Sequence, residues 1–220
     1  MSENKTFPRK TRFNKIDADW TLAKNHCRTT VNKIFTEKEP GSQFKTNLLI
    51  SEHSPIRILT IDWTWEEIYS WVSVHWSRHK FEKFISTQRD DRKEHTVSRN
   101  DMPQATPVTF DGYANVQNLI DAFRKRLCYQ ASPETRQLAV DFKLALHETQ
   151  PEIADILVPN CVYRWGCPEF EYCDEMFFPK FMDRCDNYGC RRFLIEDRYG
   201  VYNSWFYSTY HFSEEDEVKE

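Results

Sequence analysis

Three stretches of the sequence carry side chains whose types and spacing suit chemistry. The first is Ser73-Val74-His75-Trp76-Ser77-Arg78-His79-Lys80, followed by Phe81 to Arg92. An apolar pattern ends there in Arg-His-Lys. Cations at a helix C-terminus interact favourably with its dipole, so a solvated helix end is one reading. An anion pocket is the other: Arg78 and Arg92 can make bidentate contacts to phosphate or carboxylate that lysine cannot match. Trp63, Trp65, Trp71 and Trp76 flank this run, as core or as a wall for a planar heterocycle, core being the commoner outcome. The second stretch is Asn115 to Arg136. Asn115, Gln117 and Asp121 share a helix with Arg124, Lys125 and Arg126, and Gln117, Asp121 and Lys125 fall on one face. That face is either solvated or hydrogen bonds to a polar cofactor. The third is Cys161-x5-Cys167-x5-Cys173 with Cys185-x4-Cys190. Only the last pair has a spacing usual for tetrahedral zinc, so a structural zinc stands beside loosely grouped reduced thiols.

Helices and strands must position these groups. Asp17 to Asn32 reads as a helix with an Asp start and apolar Trp20, Leu22, Ala23 and Cys27. Glu39-Pro40-Gly41-Ser42 breaks the chain, and Ser42 to Ser51 reads as a second helix. Ile56 to Trp63 is β-branched and apolar, a strand pattern. Trp65, Ile68, Trp71, Val72 and Trp76 come close to helical spacing, which predicts a helix over Trp65 to His75. Phe81 to Thr87 and Ala105 to Phe110 read as strands, with a charged loop from Arg89 to Asp101 between them. Asn115 to Tyr129 carries Val116, Leu119, Ile120, Phe123 and Leu127 on one stripe. Ser132-Pro133-Glu134 starts a further helix, with a capping hydroxyl and Pro at the first position, running to about His147. Residues 159–212 read as irregular, aromatic and Cys-rich. The mixture is α/β of the α+β type, with segregated elements.

Composition narrows the functional classes. The 220 residues suit one domain, and no linker or repeat divides them. Against 34 acids stand 30 bases, a net charge of −4, which argues against coating nucleic acid but leaves room for a local basic pocket. With 5 Gly and neither a G-x-x-x-x-G-K-[ST] loop nor a G-x-G-x-x-G turn, P-loop and Rossmann readings fall away. The 16 Phe, 10 Tyr and 7 Trp exclude a disordered chain despite a mean hydropathy of −0.74. The N-terminal MSENKTFPRKTRFNK is not a secretory signal, and no stretch approaches the roughly 20 apolar residues of a membrane span. An odd set of 7 Cys without an export signal then points to reduced thiols in a cytoplasm, or a host cytoplasm if the source is viral.

Four segments in order give a family resemblance. Glu52-His53-Ser54-Pro55, followed by the helix ending Trp76-Ser77-Arg78-His79-Lys80, resembles the flavin-dependent thymidylate synthases, whose pattern is H-x-T/S-P-F-E-H and then Q-W-x-R-H-R-x-x-S-x-N-E-x-S-x-R. Asn115-x-Gln117-x-Leu119-x-Asp121, leading to Arg126-Leu127-Cys128-Tyr129-Gln130-Ala131-Ser132-Pro133-Glu134, resembles N-x-R-x-L-x-N/H…R-x-x-x-x-A-Q-W-E-I. Cys161-Val-Tyr-Arg-Trp-Gly-Cys167-Pro-Glu169 looks like a C-terminal C-x-x-x-G-x-C-P-E-G element of some members. The resemblance spans residues 17–173. Departures concentrate in the nucleotide half: Lys80 replaces the second Arg, His75 stands for Gln, and Ile56-Arg57 replaces Phe-Glu. The run from Arg78 to Arg92 is two residues longer, which puts Thr87-Gln88 at Asn-Glu and Asp90 at the second Ser.

The resemblance implies methylation of dUMP at uracil C5, with methylenetetrahydrofolate as carbon donor, FAD as hydride carrier and NADPH as reductant. It implies a central, mostly antiparallel sheet flanked by helices, and a homotetramer with active sites between subunits. Ser54, Arg78, His79 and Lys80 would meet the flavin pyrophosphate and ring, and Asn115, Gln117 and Asp121 its ribityl or adenine portion. Arg126 would sit at the pyrimidine and Arg92 at the phosphate, the two catalytic candidates, with His75, Gln88 and Asp90 lining the nucleotide site. An ionised Asp90 beside a phosphate costs energy, so it faces away, pairs with Arg89 or Arg92, or reads another ligand group. No Cys is placed as nucleophile, and Cys128 is expected to be packing. The domain reading is a flexible arm at 1–15, a catalytic domain at 16–158, a Cys-rich extension packed on it at 159–212 and an acidic tail at 213–220. The altered Gln88–Asp90 segment keeps a sister activity open, flavin- and folate-dependent hydroxymethylation of dUMP. From another class, a non-catalytic module stabilised by zinc and binding nucleic acid would use the Cys-rich part; the net charge weighs against it.

Overall fold

A computed structural model describes residues 5–89, 91–92, 97–171, 173 and 195–213. Its centre is a four-stranded antiparallel sheet. In spatial order the strands are β2 (Thr11–Asp17), β3 (Thr60–Tyr69), β5 (Pro107–Asn115) and β4 (Glu82–Ile85). A short parallel pair joins β1 (Lys5–Phe7) to β6 (Tyr210–Phe212). Helices α1 (Trp20–Thr29) and α2 (Ser42–Ile50) precede a 3-10 turn at Ser54–Ile58. After β3 comes α3 (Ser70–Ser77). Between β5 and β6 the described residues form α4 (Val116–Arg126), α5 (Pro133–His147), α6 (Pro151–Ile156), α7 (Asn160–Arg164) and α8 (Ile195–Thr209). Among the described residues no helix is long and apolar enough to cross a membrane.

The sheet buries one face. Trp63, Trp65, Trp76, Phe110, Phe123 and Phe142 are fully buried and touch edge to face or tilted, with ring centroids 4.8–6.2 Å apart in the pairs that join them. Three of the four flanking tryptophans are therefore core. Only Trp71 stays half-buried, stacked on Tyr69 at 5.8 Å. Gly112 lies opposite Trp63 in the β3–β5 register, where the indole covers its backbone.

Several sequence expectations change, each for a local reason. Residues 5–7 and 11–17 are strand rather than a flexible arm. Thr11 is buried and gives both its N–H and its hydroxyl to the buried carboxylate of Asp141, and Lys10 N–H adds a 2.8 Å bond to the same group. The expected Trp65–His75 helix is strand as far as Tyr69. Glu67 is left-handed, with φ 51°, and the β3–β5 register shifts between Trp65 and Ile68. The bulge turns both apolar residues inward three positions apart, which mimics a helical interval. Ile56 falls in the 3-10 turn that Pro55 opens, so β3 begins at Thr60. Pro151 does not merely end α5 but opens α6, its missing N–H being harmless at a first position. The region 159–212 is not irregular throughout: α7, α8 and β6 lie in it. Arg198, Tyr199, Tyr202, Asn203 and Phe206 form the buried stripe of α8. Residues 172, 174–194, with Cys185 and Cys190, and 214–220 of the acidic tail lie outside the described residues.

Lys143 of α5 fastens α8 to the rest. Its ammonium is fully buried, donates to Asn203 Oδ1 at 2.8 Å and Ala154 O at 2.5 Å, and lies 5.1 Å from the ring centroids of both Phe206 and Tyr207. Burial pushes this lysine down to about 7, against the pull of Asp155. The unfolded chain holds that proton up to its ordinary 10.5, so the folded state binds fewer protons between the two values. The lysine's contribution to stability therefore rises as pH passes about 7. The buried Cys161 thiol and the Tyr199 phenol, both pushed up to about 12, act in the opposite sense at higher pH. The difference between wild type and Lys143→Met removes them. From about pH 6 to about pH 8.5, wild type should gain about 2 kcal/mol relative to the variant in urea unfolding. Parallel pH profiles would show that the ammonium is not buried as described.

Candidate functional site

The C-terminal ends of α3 and α4 meet. Arg78 is the C-cap residue of α3 and Arg126 the last residue of α4. Burial of Val72 and Trp76 on α3, and of Val116, Leu119, Ile120 and Phe123 on α4, turns both helices onto the same core and brings their ends together. Arg126 Nε donates to His79 Nε2 at 2.7 Å, and its terminal nitrogen donates to His75 O at 2.6 Å. Guanidinium is a donor only, so His79 Nε2 accepts and the ring proton of His79 is on Nδ1. Burial first, then the charges of Arg126 and Lys83, drive His79 down to about 4, which leaves it neutral near pH 7. Arg126 is itself lowered, by burial and by Arg78. His75 is lowered by burial, Arg126 and Arg78, against Glu134. Among the described residues neither Arg78 nor Arg126 pairs with a carboxylate. Two guanidiniums and two neutral histidines thus make a local positive centre in a chain of net negative charge. Such a centre holds an anion or stabilises negative charge developing on a carbonyl.

The structure brings His75, Arg78, His79 and Arg126 together, and Lys80 adjoins them: its carbonyl accepts from Asn118 Nδ2 at 2.7 Å while its side chain is exposed. Asn118 had no mark in the sequence, yet it ties α4 to the turn after α3. The other cofactor candidates divide. Ser54 is exposed at the start of the 3-10 turn. Asn115 caps α4, its Oδ1 accepting from Asn118 N at 2.9 Å. Gln117 donates to Glu52 at 2.6 Å. Glu52 also pairs with Arg124, which lies over the Tyr163 ring, 3.4 Å from its centroid. Asp121 is exposed beside Arg124 at 3.4 Å. The side chains of Asn115 and Gln117 are thus engaged within the protein; Ser54, Arg78 and Lys80 are exposed, and Asp121 is exposed while paired with Arg124.

The nucleotide candidates divide too. Arg92 is exposed and its contact is with Asp91 at 3.8 Å; Gln88 is half-buried. Among the described residues of one chain no contact joins either of them to the Arg78–Arg126 centre, and Asp90 lies outside the described residues. Ser132 was read as a cap, but its hydroxyl makes no capping bond and donates to Thr135 Oγ1 at 2.8 Å. Thr135 Oγ1 lies 2.9 Å from His75 Nδ1. Thr135 escapes sequence reasoning because a threonine in the first turn of a helix is commonplace.

Cys128, Cys161, Cys167 and Cys173 line one small apolar cavity with Tyr202, Trp205 and Phe206. Cys128 is half-buried, with its thiol pushed up by burial. Among the described residues no group of three or more His, Cys, Asp or Glu is disposed to hold a metal ion, so the zinc reading of Cys161, Cys167 and Cys173 finds no site there. Cys185 and Cys190, its other candidates, lie outside the described residues.

No family model matches the sequence, and no curated protein matches it. Solved structures do match the fold. Flavin-dependent thymidylate synthase ThyX from Helicobacter pylori, complexed with FAD and dUMP, aligns with a TM-score of 0.56 at 15% identity, covering 68% of this chain and 100% of that one. A second H. pylori ThyX structure with FAD and dUMP gives 0.56 at 14% identity, over 67% of this chain and 99% of that one. The UMP/dUMP methylase PolB from Streptomyces cacaoi, bound with 5-Br dUMP, gives 0.54 at 12% identity, over 70% and 96%. The chain shares the fold of these proteins: an antiparallel sheet flanked by helices.

Proposed function

We propose that this chain is a flavin-dependent enzyme that modifies dUMP at C5 of the uracil ring. The observation that carries the reading is the pair Arg78 and Arg126, gathered with two neutral histidines and without carboxylate partners among the described residues. It is supported by a fold shared with proteins described in complex with FAD and dUMP. Uracil C5 is a poor nucleophile until electron density is pushed onto the ring. Arg126, held rigidly by His79 and the His75 carbonyl, is placed to stabilise that density at a carbonyl oxygen. His75 lines the same nucleotide. Arg92, with Gln88 beside it, reaches the phosphate from a neighbouring copy of the chain in a homotetramer.

The donor set suits a flavin in part. Exposed Arg78 and Lys80, with Ser54, match a pyrophosphate, and Asp121 can accept from a ribityl or adenine group; Asn115 and Gln117 are already engaged. When bound, FAD would carry reducing equivalents from NADPH to the one-carbon unit supplied by methylenetetrahydrofolate. The residues of the chain bind the nucleotide, hold charge at its carbonyls and exclude water. Protein purified from cells should be yellow, with flavin absorbance that bleaches on NADPH addition and returns with oxygen. With dUMP and methylenetetrahydrofolate, the product mass should be that of dTMP. A 5-hydroxymethyl product would replace methylation with the sister activity, motivated by Gln88 and Asp90 in the altered loop. Protein that takes up neither FAD nor dUMP would end the proposal.

A further inference from the structure

We propose that the hydroxyl pair Ser132–Thr135 is a positioning relay that fixes His75 as the neutral ring protonated on Nε2, so that this histidine offers the nucleotide a hydrogen-bond donor. The identity of the ligand rests on the functional reading above; the direction of the relay does not.

Ser132 occupies the N-cap of α5, where serine ordinarily accepts from a backbone N–H two or three residues on. It makes no such bond. Its hydroxyl is diverted to Thr135 Oγ1 at 2.8 Å, and Thr135, fully buried, sits 2.9 Å from His75 Nδ1. A hydroxyl has one hydrogen and two lone pairs. With Ser132 as the donor to Thr135, a second donation from His75 Nδ1–H would leave the threonine hydrogen buried with no acceptor among the described residues, since Ser132 Oγ already gives its own hydrogen along that line, and this costs the full desolvation of the hydroxyl. If Thr135 donates to Nδ1, every polar atom of the relay is satisfied. Protons then point from Ser132 to Thr135 to His75, and the ring proton is on Nε2. Burial first, then Arg126 and Arg78, oppose a second proton on the ring, with Glu134 working against them. Trp71 meets the imidazole edge to face, at 5.6 Å and 72°, and limits its rotation.

His75 and His79 are therefore opposite tautomers with different tasks. His79 accepts from Arg126 and holds it. His75 keeps Nε2–H for a ligand oxygen, whether a uracil carbonyl or a phosphate. A side-chain amide, such as the resemblance has at this position, can both donate to and accept from a ligand; His75 in this tautomer, with Nδ1 taken by Thr135, only donates to it.

The test is nitrogen NMR of the histidine rings in the full chain at neutral pH, with His75→Gln and His79→Gln for assignment. His75 should show the Nε2–H pattern and His79 the Nδ1–H pattern. Thr135→Val should turn His75 into a tautomer mixture and raise the dissociation constant for dUMP about tenfold, while Thr135→Ser keeps both near wild type. Ser132→Ala gives the same direction should Thr135→Val fail to fold. A loss shared by deoxyuridine places the donor at the base, and a loss confined to dUMP places it at the phosphate. An Nδ1–H pattern at His75 in wild type, or unchanged dUMP affinity in Thr135→Val, overturns the relay. If wild type binds no dUMP, the functional reading fails and the ring spectra still decide the relay.

Discussion

Arg126→Ala should lose about a thousandfold or more in turnover of dUMP while flavin stays bound. The size follows from the role proposed for the guanidinium. It is half-buried and positioned from two sides, by His79 Nε2 and by the His75 carbonyl, so its charge needs no reorganisation as the ring takes up electron density. Water in its place would supply neither a fixed charge nor a fixed direction. Arg126→Lys should recover only part of the rate, because an ammonium cannot bond His79 and a second acceptor in one plane. A second readout separates this role from damage to the fold. Removing Arg126 takes away one of the charges that hold His79 down at about 4, so the titration of His79 should move toward its ordinary 6.5. If the alanine variant also lost flavin entirely, the division between flavin and nucleotide residues would be wrong.

Gly112→Ala should lower stability by about 3 kcal/mol and the melting temperature by several degrees. A Cβ at this position would stand 2.3 Å from Cζ2 of Trp63, directly across the β3–β5 register. The indole cannot retreat, because Phe81, Phe142 and Trp65 surround it at 5.2–5.5 Å between centroids. Flexibility of the glycine backbone is not the point; the space is. Trp63→Phe, though destabilising alone, should make the alanine far less harmful, and that non-additivity in denaturant unfolding is the measurement. An alanine variant as stable as wild type would mean that Trp63 does not cover Gly112.

Helices α4 and α5 were legible because their apolar stripes and starts are local signals: Val116, Leu119, Ile120 and Phe123 in one, Ser132-Pro133 in the other. β3 was misread where Glu67 adopts a left-handed turn, since periodicity cannot register an inserted residue. α8 was invisible for another reason. Its buried stripe is built from Arg198, Tyr199, Tyr202 and Asn203, residue types that read as polar until Lys143 and the Val162 carbonyl are seen to partner them. At the site, the convergence of Arg78 and His79 with Arg126 was readable from residue types in family-like order. The engagement of Gln117 by Glu52, and the diversion of the Ser132 hydroxyl to Thr135, depend on neighbours brought in from other segments, which no spacing rule contains.

The pairing of β1 with β6 bears on how the molecule is made. Residues 5–7 lie alongside residues 210–212, with Phe7 against Tyr210 and Phe212, and Ser213 N–H closes the ladder onto Phe7 O at 3.1 Å. On the ribosome residues 5–7 have no strand to join until residues 210–212 have emerged. That clasp closes after synthesis of the sheet and the helices between, so vectorial folding leaves residues 5–7 waiting for residues 210–212.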